Sequence, residues 1–289
     1  MAATYEDRYW TSSDGLDLHY RNYAASDGAA AKLPVLCMHG LTRNARDFAA
    51  LADVLAATRR VIVPEMRGRG LSDYAPDSDT YSPVTYVQDV EKLLAEEGIT
   101  RFAVVGTSMG GLMTMLMAAA NPGRMSAVVM NDIGPVIDPA GLSRISGYVG
   151  QGRSYPTWVH AARGLAEAQA AAFPDYDLDQ WLEMAKRTMV VTQNGRISFD
   201  YDMAIAEPFA KPGNAAPANL WTAFDALAGV PMLLVRGGLS DLLSEDTVAQ
   251  MGQRNPVMRT VTVPRVGHAP TLDEAEVRAA ILALLDAAE

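Results

Sequence analysis

The stretch Gly106-Thr107-Ser108-Met109-Gly110-Gly111 constrains this chain more than any other, because it joins an apolar run, Phe102 to Val105, directly to a helix-like run beginning at Met109. A strand that passes straight into a helix needs a turn so sharp that its central serine is strained and its hydroxyl is pushed into a cleft. Side chains two residues either side would collide there, and Gly106 and Gly110 occupy those positions. In that context the pattern G-x-S-x-G reads as a nucleophile elbow, with Ser108 the candidate nucleophile. Met109 opens the helix, so its N–H has no acceptor within the helix and points to where an oxyanion would form beside Ser108. The helix dipole favours the same negative charge.

Around the elbow the chain alternates. Residues 8–11 and 16–23 look like a hairpin of two antiparallel edge strands, with Asp14-Gly15 as the turn signal. Ala24 to Lys32 reads as a loop. Pro34 to Met38, Arg60 to Pro64, Phe102 to Val105 and Ser126 to Met130 are continuous apolar runs, the pattern of strands buried on both faces. Helical patterns at 47–57 and 85–97, the second closed by Gly98, separate them, which is the β-α-β order of a parallel sheet. From about Val136 to Leu227 the alternation stops. This stretch is aromatic-rich and predicted mostly helical, with segments at 141–149, 157–172, 178–191 and 218–227 and no recognisable parallel strand. The sheet pattern resumes at Pro231 to Val235, with a helix near 244–253 and a last strand at Arg259 to Val263. A closing helix is expected from Thr271, with Thr271 and Glu274 as a capping box. The expected organisation is therefore an α/β core of residues 1–135 and 228–289 interrupted by a helical cap, 136–227.

The formal charge of −10, from 24 Lys and Arg against 34 Asp and Glu, argues against nucleic acid or an anionic membrane as partner. Cys37, the only cysteine, lies within an apolar strand and reads as an inert core thiol. The acids near the N-terminus do not suit a secretory signal, and no apolar stretch approaches 18 residues, so a cytoplasmic location is expected. The motifs argue against nucleotide binding, since Gly68-Arg69-Gly70 is not G-x-G-x-x-G and no phosphate-cradling G-x-x-x-x-G-K-[ST] exists.

In a parallel sheet, loops following the strands converge on one site. Ser108, Asp241 and His268 each follow a strand, in the order Ser, Asp, His. That arrangement suits a triad in which His268 takes the serine proton and a buried carboxylate fixes its tautomer. Asp241 is preferred for the acid on the position of its loop. Asp132, after the strand that follows the elbow, is the rival. The second oxyanion donor is expected from the N–H of Leu41, beyond the tight turn at Gly40. His39 invites a metal reading, but the chain has no H-E-x-x-H and no paired cysteines, so a histidine bonding loop backbone is the better expectation.

With His39-Gly40, Arg67-Gly68-Arg69-Gly70-Leu71-Ser72, the elbow at Ser108, Gly238 to Asp241 and Val266-Gly267-His268 in place, the chain resembles the α/β-hydrolase superfamily over nearly its whole length. Glu65 stands where the family pattern usually has aspartate. The resemblance implies an eight-stranded, mostly parallel sheet, a helical cap between its sixth and seventh strands, and a site that needs no cofactor or metal. A serine at the elbow argues against the family's dehalogenases and epoxide hydrolases, whose nucleophile is aspartate. The expected activity is hydrolysis of a small carboxylic ester or lactone through an acyl-enzyme. A carbon–carbon bond hydrolase or a perhydrolase with the same triad, or a ligand receptor on the same fold, are the alternatives. The substrate pocket is expected between Leu41, Met109 and Leu242 below and Tyr148, Trp158 and Trp181 above, with Arg43 able to select a carboxylate-bearing substrate. For any one of those aromatics, packing inside the cap is the simpler role.

Overall fold

The computed structural model describes residues 5–26, 32–210 and 219–288; the loop expected at Ala24 to Lys32 lies largely outside them. β1 (Tyr5–Thr11) and β2 (Asp17–Tyr23) form the hairpin, paired from Tyr5 with Tyr23 to Thr11 with Asp17. Next come β3 (Val35–Met38), a 3₁₀ turn Ala45–Phe48 running into α1 (Ala49–Leu55), β4 (Val61–Pro64), α2 (Pro83–Glu96), β5 (Phe102–Thr107), α3 (Met109–Ala120) and β6 (Met125–Asn131). After a long intervening segment the chain returns as β10 (Met232–Gly237), α9 (Glu245–Arg254), β11 (Met258–Val263) and α10 (Ala275–Ala287). These strands make one eight-stranded sheet in the order β1-β2-β4-β3-β5-β6-β10-β11. It is parallel from β4 to β11, with β1 and β2 antiparallel at one side. Because β2 pairs with β4, only β1 of the hairpin is an edge.

The apolar runs are continuous because the sheet is covered on both faces, and the period of two divides each strand between two cores. Leu36, Met38, Val104, Val128, Met130 and Leu234 pack into one cluster, shared with α2 and α3. Val35, Cys37, Ala103, Val105, Ala127, Val129, Leu233 and Val235 pack into the other, with α1 and α10. Cys37 is fully buried there, and burial pushes its thiol pKa up, which suits a core side chain and not a nucleophile. No helix among the described residues is long and apolar enough to cross a membrane.

The intervening segment carries α4 (Pro139–Tyr148), β7 (Ser154–Tyr155), α5 (Trp158–Gln169), α6 (Leu178–Thr188), β8 (Met189–Val191), β9 (Ile197–Phe199), α7 (Glu207–Ala210) and α8 (Trp221–Asp225). It is not purely helical: β7, β9 and β8 form a small antiparallel sheet. The helix expected over 178–191 stops at Thr188, where Met189-Val190-Val191 turns extended and the Asn194-Gly195 pair, with Gly195 at φ 75°, reverses the chain into β9. α5 and α6 bury a core of their own around Ala161, Leu165, Phe173, Trp181 and Met184. α8 instead packs on α3, and its Ala223 and Phe224 join the sheet's first cluster, so the chain is back against the sheet before residue 227.

Two local expectations also change. α10 begins at Ala275 and not at Thr271. Glu274 Oε1 accepts from the Thr271 N–H and Oγ, at 3.1 and 3.2 Å, but the reciprocal bond of a capping box is missing among the described contacts. Glu65 fills its loop as a structural carboxylate. It accepts from His19 Nδ1 at 2.9 Å and from the N–H groups of Leu71 and Ala45 at 2.7 and 3.0 Å. Burial pushes its pKa up, but these hydrogen bonds outweigh that and hold it below the ordinary value.

Candidate active site

The elbow forms as the glycines require. Ser108 sits at φ 52°, a left-handed conformation that costs a non-glycine residue on the order of 1–3 kcal/mol. A Cβ on Gly106 would lie 2.6 Å from the Gly110 carbonyl oxygen, and one on Gly110 would lie 2.1 Å from the Met38 carbonyl oxygen. Backbone cannot give way as a side-chain tip can, so both positions exclude any larger residue. The Ser108 N–H is tied to the Asn131 carbonyl at 3.0 Å, and Asn131 Nδ2 reaches Thr107 Oγ1 at 3.1 Å and the Pro270 carbonyl at 2.9 Å. The elbow, the end of β6 and the loop after β11 are thereby fixed to one another.

His268 Nε2 lies 2.8 Å from Ser108 Oγ, and its Nδ1 lies 2.8 Å from Asp132 Oδ2. The carboxylate at the histidine is therefore Asp132, not the expected Asp241. Asp132 is fully buried, and both of its oxygens are engaged: Oδ1 accepts from the Gly237 N–H at 2.8 Å, and Oδ2 accepts from Ser240 Oγ at 2.7 Å as well as from His268. An acceptor at Nδ1 puts the imidazole proton there and leaves the Nε2 lone pair facing the serine. Asp241 takes another partner. Arg144 donates to it from Nε and Nη2 at 2.6 and 2.7 Å, and this hydrogen bonding holds the Asp241 pKa below the ordinary carboxylate value. The physical reason is tether length. Asp132 directly follows β6, whereas Asp241 lies four residues past β10, where the Gly141 N–H bonds its carbonyl at 3.0 Å and α4 docks. Ser240, a partner of Asp132, carries no signal in the sequence beyond its place in that turn.

Beside the serine lies Gly40, whose added Cβ would be 3.7 Å from Ser108 Cβ. Among the described residues neither the Leu41 nor the Met109 N–H meets an acceptor. The fully buried Arg69 holds this loop from behind, donating from Nε to the Leu41 carbonyl at 2.9 Å. His39 is buried too. Its Nδ1–H donates to the Gly40 carbonyl at 2.8 Å, and its Nε2 accepts from the Met66 N–H at 3.1 Å. Burial pushes its pKa down from 6.5 to about 4. A histidine whose folded pKa is depressed binds fewer protons folded than unfolded between those values, so its contribution to stability is lost as pH falls from about 6.5 to about 4. The loss is about 3 kcal/mol by the conversion of pKa into free energy. His39→Gln is expected to flatten the fall of Tm across this window in a pH series of thermal melts; an unchanged slope would remove His39 as its source.

A cavity of about 430 Å³ opens over Ser108 and His268. Leu41, Arg43 and Tyr148 are on its wall. Met109, Leu242, Trp158 and Trp181 are not on its wall. Trp181 stacks edge-on with Phe173 and Tyr176 in the core of α5 and α6, with Trp158 packed beside them. Met109 and Leu242 are buried in the first sheet cluster. Arg43 is not a free cation: it grips Asp47 from Nε and Nη2 at 2.6 and 2.7 Å. Nor is it alone, since Arg144, Arg153 and Arg187 share the wall. Their spacing in sequence shows no pattern, and only folding brings them together.

The fold and the site define a class, and comparison with known proteins agrees with it. The family model for the alpha/beta hydrolase fold matches residues 34–275, and the chain belongs to that family. A 3-hydroxybutyrate-oligomer hydrolase from Cupriavidus necator is 36% identical over 270 residues, which is 90% of this chain and 91% of that one. The esterase Rv0045c from Mycobacterium tuberculosis is 26% identical over 83% of this chain and 78% of its own length. The crystal structure of an α/β hydrolase from Novosphingobium aromaticivorans superposes with a TM-score of 0.93 at 59% identity, covering 98% of this chain and 99% of that one.

Proposed function

We propose that this chain is a serine ester hydrolase that cuts short oligoesters of hydroxyalkanoic acids. Ser108 Oγ attacks the ester carbonyl while His268 Nε2 takes its proton, and Asp132 holds the imidazolium that results. The N–H groups of Leu41 and Met109 receive the oxyanion. The tetrahedral intermediate expels the alcohol, to which His268 returns the proton, leaving an acyl-Ser108. Water, deprotonated by the same histidine, then releases the acid. Residues 136–227 act as a cap whose α4, α5 and α6 roof the cavity.

The observation that carries this reading is the unbroken hydrogen-bond chain from Ser108 through His268 to Asp132, each link at 2.8 Å, beneath a cavity of about 430 Å³. Ester hydrolysis as the chemistry is supported by the esterases among the relatives. The oligoester class is supported by the Cupriavidus necator enzyme, which matches nearly end to end. The test is incubation with the dimer and trimer of 3-hydroxybutyrate and with p-nitrophenyl butyrate, following acid release, together with a fluorophosphonate probe and peptide mass mapping. Cleavage of the oligomers and probe attachment to Ser108 are expected. Failure to cleave any of the three esters would overturn the proposal.

A further inference from the structure

The chain carries a net charge of −10, yet among the described residues the cavity wall holds four arginines, Arg43, Arg144, Arg153 and Arg187, against a single carboxylate, Asp47. The pairing of those arginines has a direction. Asp47 neutralises Arg43 on the wall itself. Arg144 and Arg187 are held by Asp241 and Asp273, the latter at 2.5 Å, and neither acid lies on the wall, so both ion pairs turn their positive ends inward. Arg153 has no acidic partner among the described residues; its guanidinium makes one long contact, 3.4 Å from Nη2 to Gln151 Oε1. Its backbone is fixed, with the N–H on the Gln151 carbonyl at 2.8 Å and the carbonyl receiving Ser198 Oγ at 3.2 Å. Its guanidinium is exposed and held only by that one contact, so its Nε–Nη2 edge, the same edge with which Arg144 grips Asp241, is open to a carboxylate through two parallel hydrogen bonds.

We infer that the cavity contains a subsite for the free carboxylate end of the substrate, with Arg153 as its principal ligand and Arg144, oriented by Asp241, as the second donor. This rests on the oligoester reading and adds to it a polarity: the chain end bearing the acid is the end the enzyme grips, so esters near that end are presented to Ser108. A blocked oligomer, its acid capped as a methyl ester, keeps every scissile bond and loses the anchor. Arg144 has already spent Nε and Nη2 on Asp241, so the larger share of recognition falls to Arg153.

The experiment is calorimetric binding of the 3-hydroxybutyrate dimer and of its methyl ester to the Ser108→Ala protein, which holds either ligand uncut. The free acid is expected to bind at least tenfold tighter than the methyl ester. Arg153→Gln in that background should weaken the acid roughly 10- to 100-fold, the range for a charged hydrogen-bonded pair, and leave the methyl ester within about twofold. Arg153→Lys should restore part of the preference. The methyl ester is the internal control for folding. Equal binding of acid and ester, an acid-to-ester ratio unmoved by Arg153→Gln, or no binding of the acid would each overturn the subsite. Because binding is read apart from turnover, the subsite can fail while the wild-type protein still cleaves esters, and it can stand if the chemistry at Ser108 proves different.

Discussion

Ser108→Ala is expected to lower kcat by about 10⁵- to 10⁶-fold on any ester the wild-type protein cleaves, with the Kd of that ester little changed. The magnitude is that of removing a nucleophile from a serine-histidine-aspartate triad, whose members act as a unit. The substitution removes one oxygen and leaves its surroundings in place. The Ser108 N–H still bonds the Asn131 carbonyl, and the left-handed backbone is held by that bond and by the packing of Gly106 and Gly110. Thermal melting should therefore change little, because alanine keeps the same Cβ and the same left-handed backbone. Steady-state kinetics over wild-type contamination limits, with a melt of the same sample, check it. A variant that keeps more than about 1% of kcat would mean that Ser108 does not form the covalent intermediate, and the acyl-enzyme route would fall with it.

How much of this was legible in the sequence follows from which contacts are local. The elbow could be read because strand, turn and helix occupy one short stretch, and because Gly106 and Gly110 are demanded by backbone atoms within that stretch and the adjacent β3. The central strands could be read because burial on both faces leaves no polar alternation to confuse them. His268 could be read because it follows the last strand. What was illegible depended on partners far away in the chain. Which aspartate meets His268 turned on Ser240, Gly237 and Arg144, which divide Asp132 and Asp241 between the histidine and α4 only once the chain is folded. The tryptophans at 158 and 181 have the size to roof a pocket, but α5 and α6 need an interior of their own, and that need claims them. Arg153 is invisible for the opposite reason. Its significance lies in lacking, among the described residues, the carboxylate that its neighbours on the wall all have. In the small sheet, Asn194-Gly195 is a local turn signal for the β8–β9 hairpin, whereas β7 joins it from about 40 residues away and has no such signal.

Asp132→Asn is expected to lower kcat about 10⁴-fold, the scale measured when a triad aspartate becomes asparagine, whereas Asp241→Asn stays within about tenfold of wild type. The two substitutions are alike in size and charge change, so the contrast isolates position. In Asp132→Asn the amide carbonyl can keep the Gly237 N–H, but the NH₂ must then face Ser240 Oγ and His268 Nδ1. A donor at that place forces Nδ1 to accept, which moves the ring proton to Nε2. His268 then meets Ser108 Oγ as a donor and cannot take its proton, though its distance is unchanged. The fold is retained because the Gly237 and His268 contacts can still be made, and the one change is that the Ser240 hydroxyl, which donated to the carboxylate, must accept from the amide and turn its proton elsewhere. In Asp241→Asn the Ser108–His268–Asp132 hydrogen-bond chain is intact, and what weakens is the grip on Arg144, so KM for a carboxylate-bearing ester should rise more than kcat falls. Proton NMR supplies the decisive readout: the low-field His268 Nδ1–H resonance should vanish in Asp132→Asn and persist in Asp241→Asn. The reverse pattern in kcat and in that resonance would transfer the acid's role to Asp241 and require Arg144 to release it during turnover.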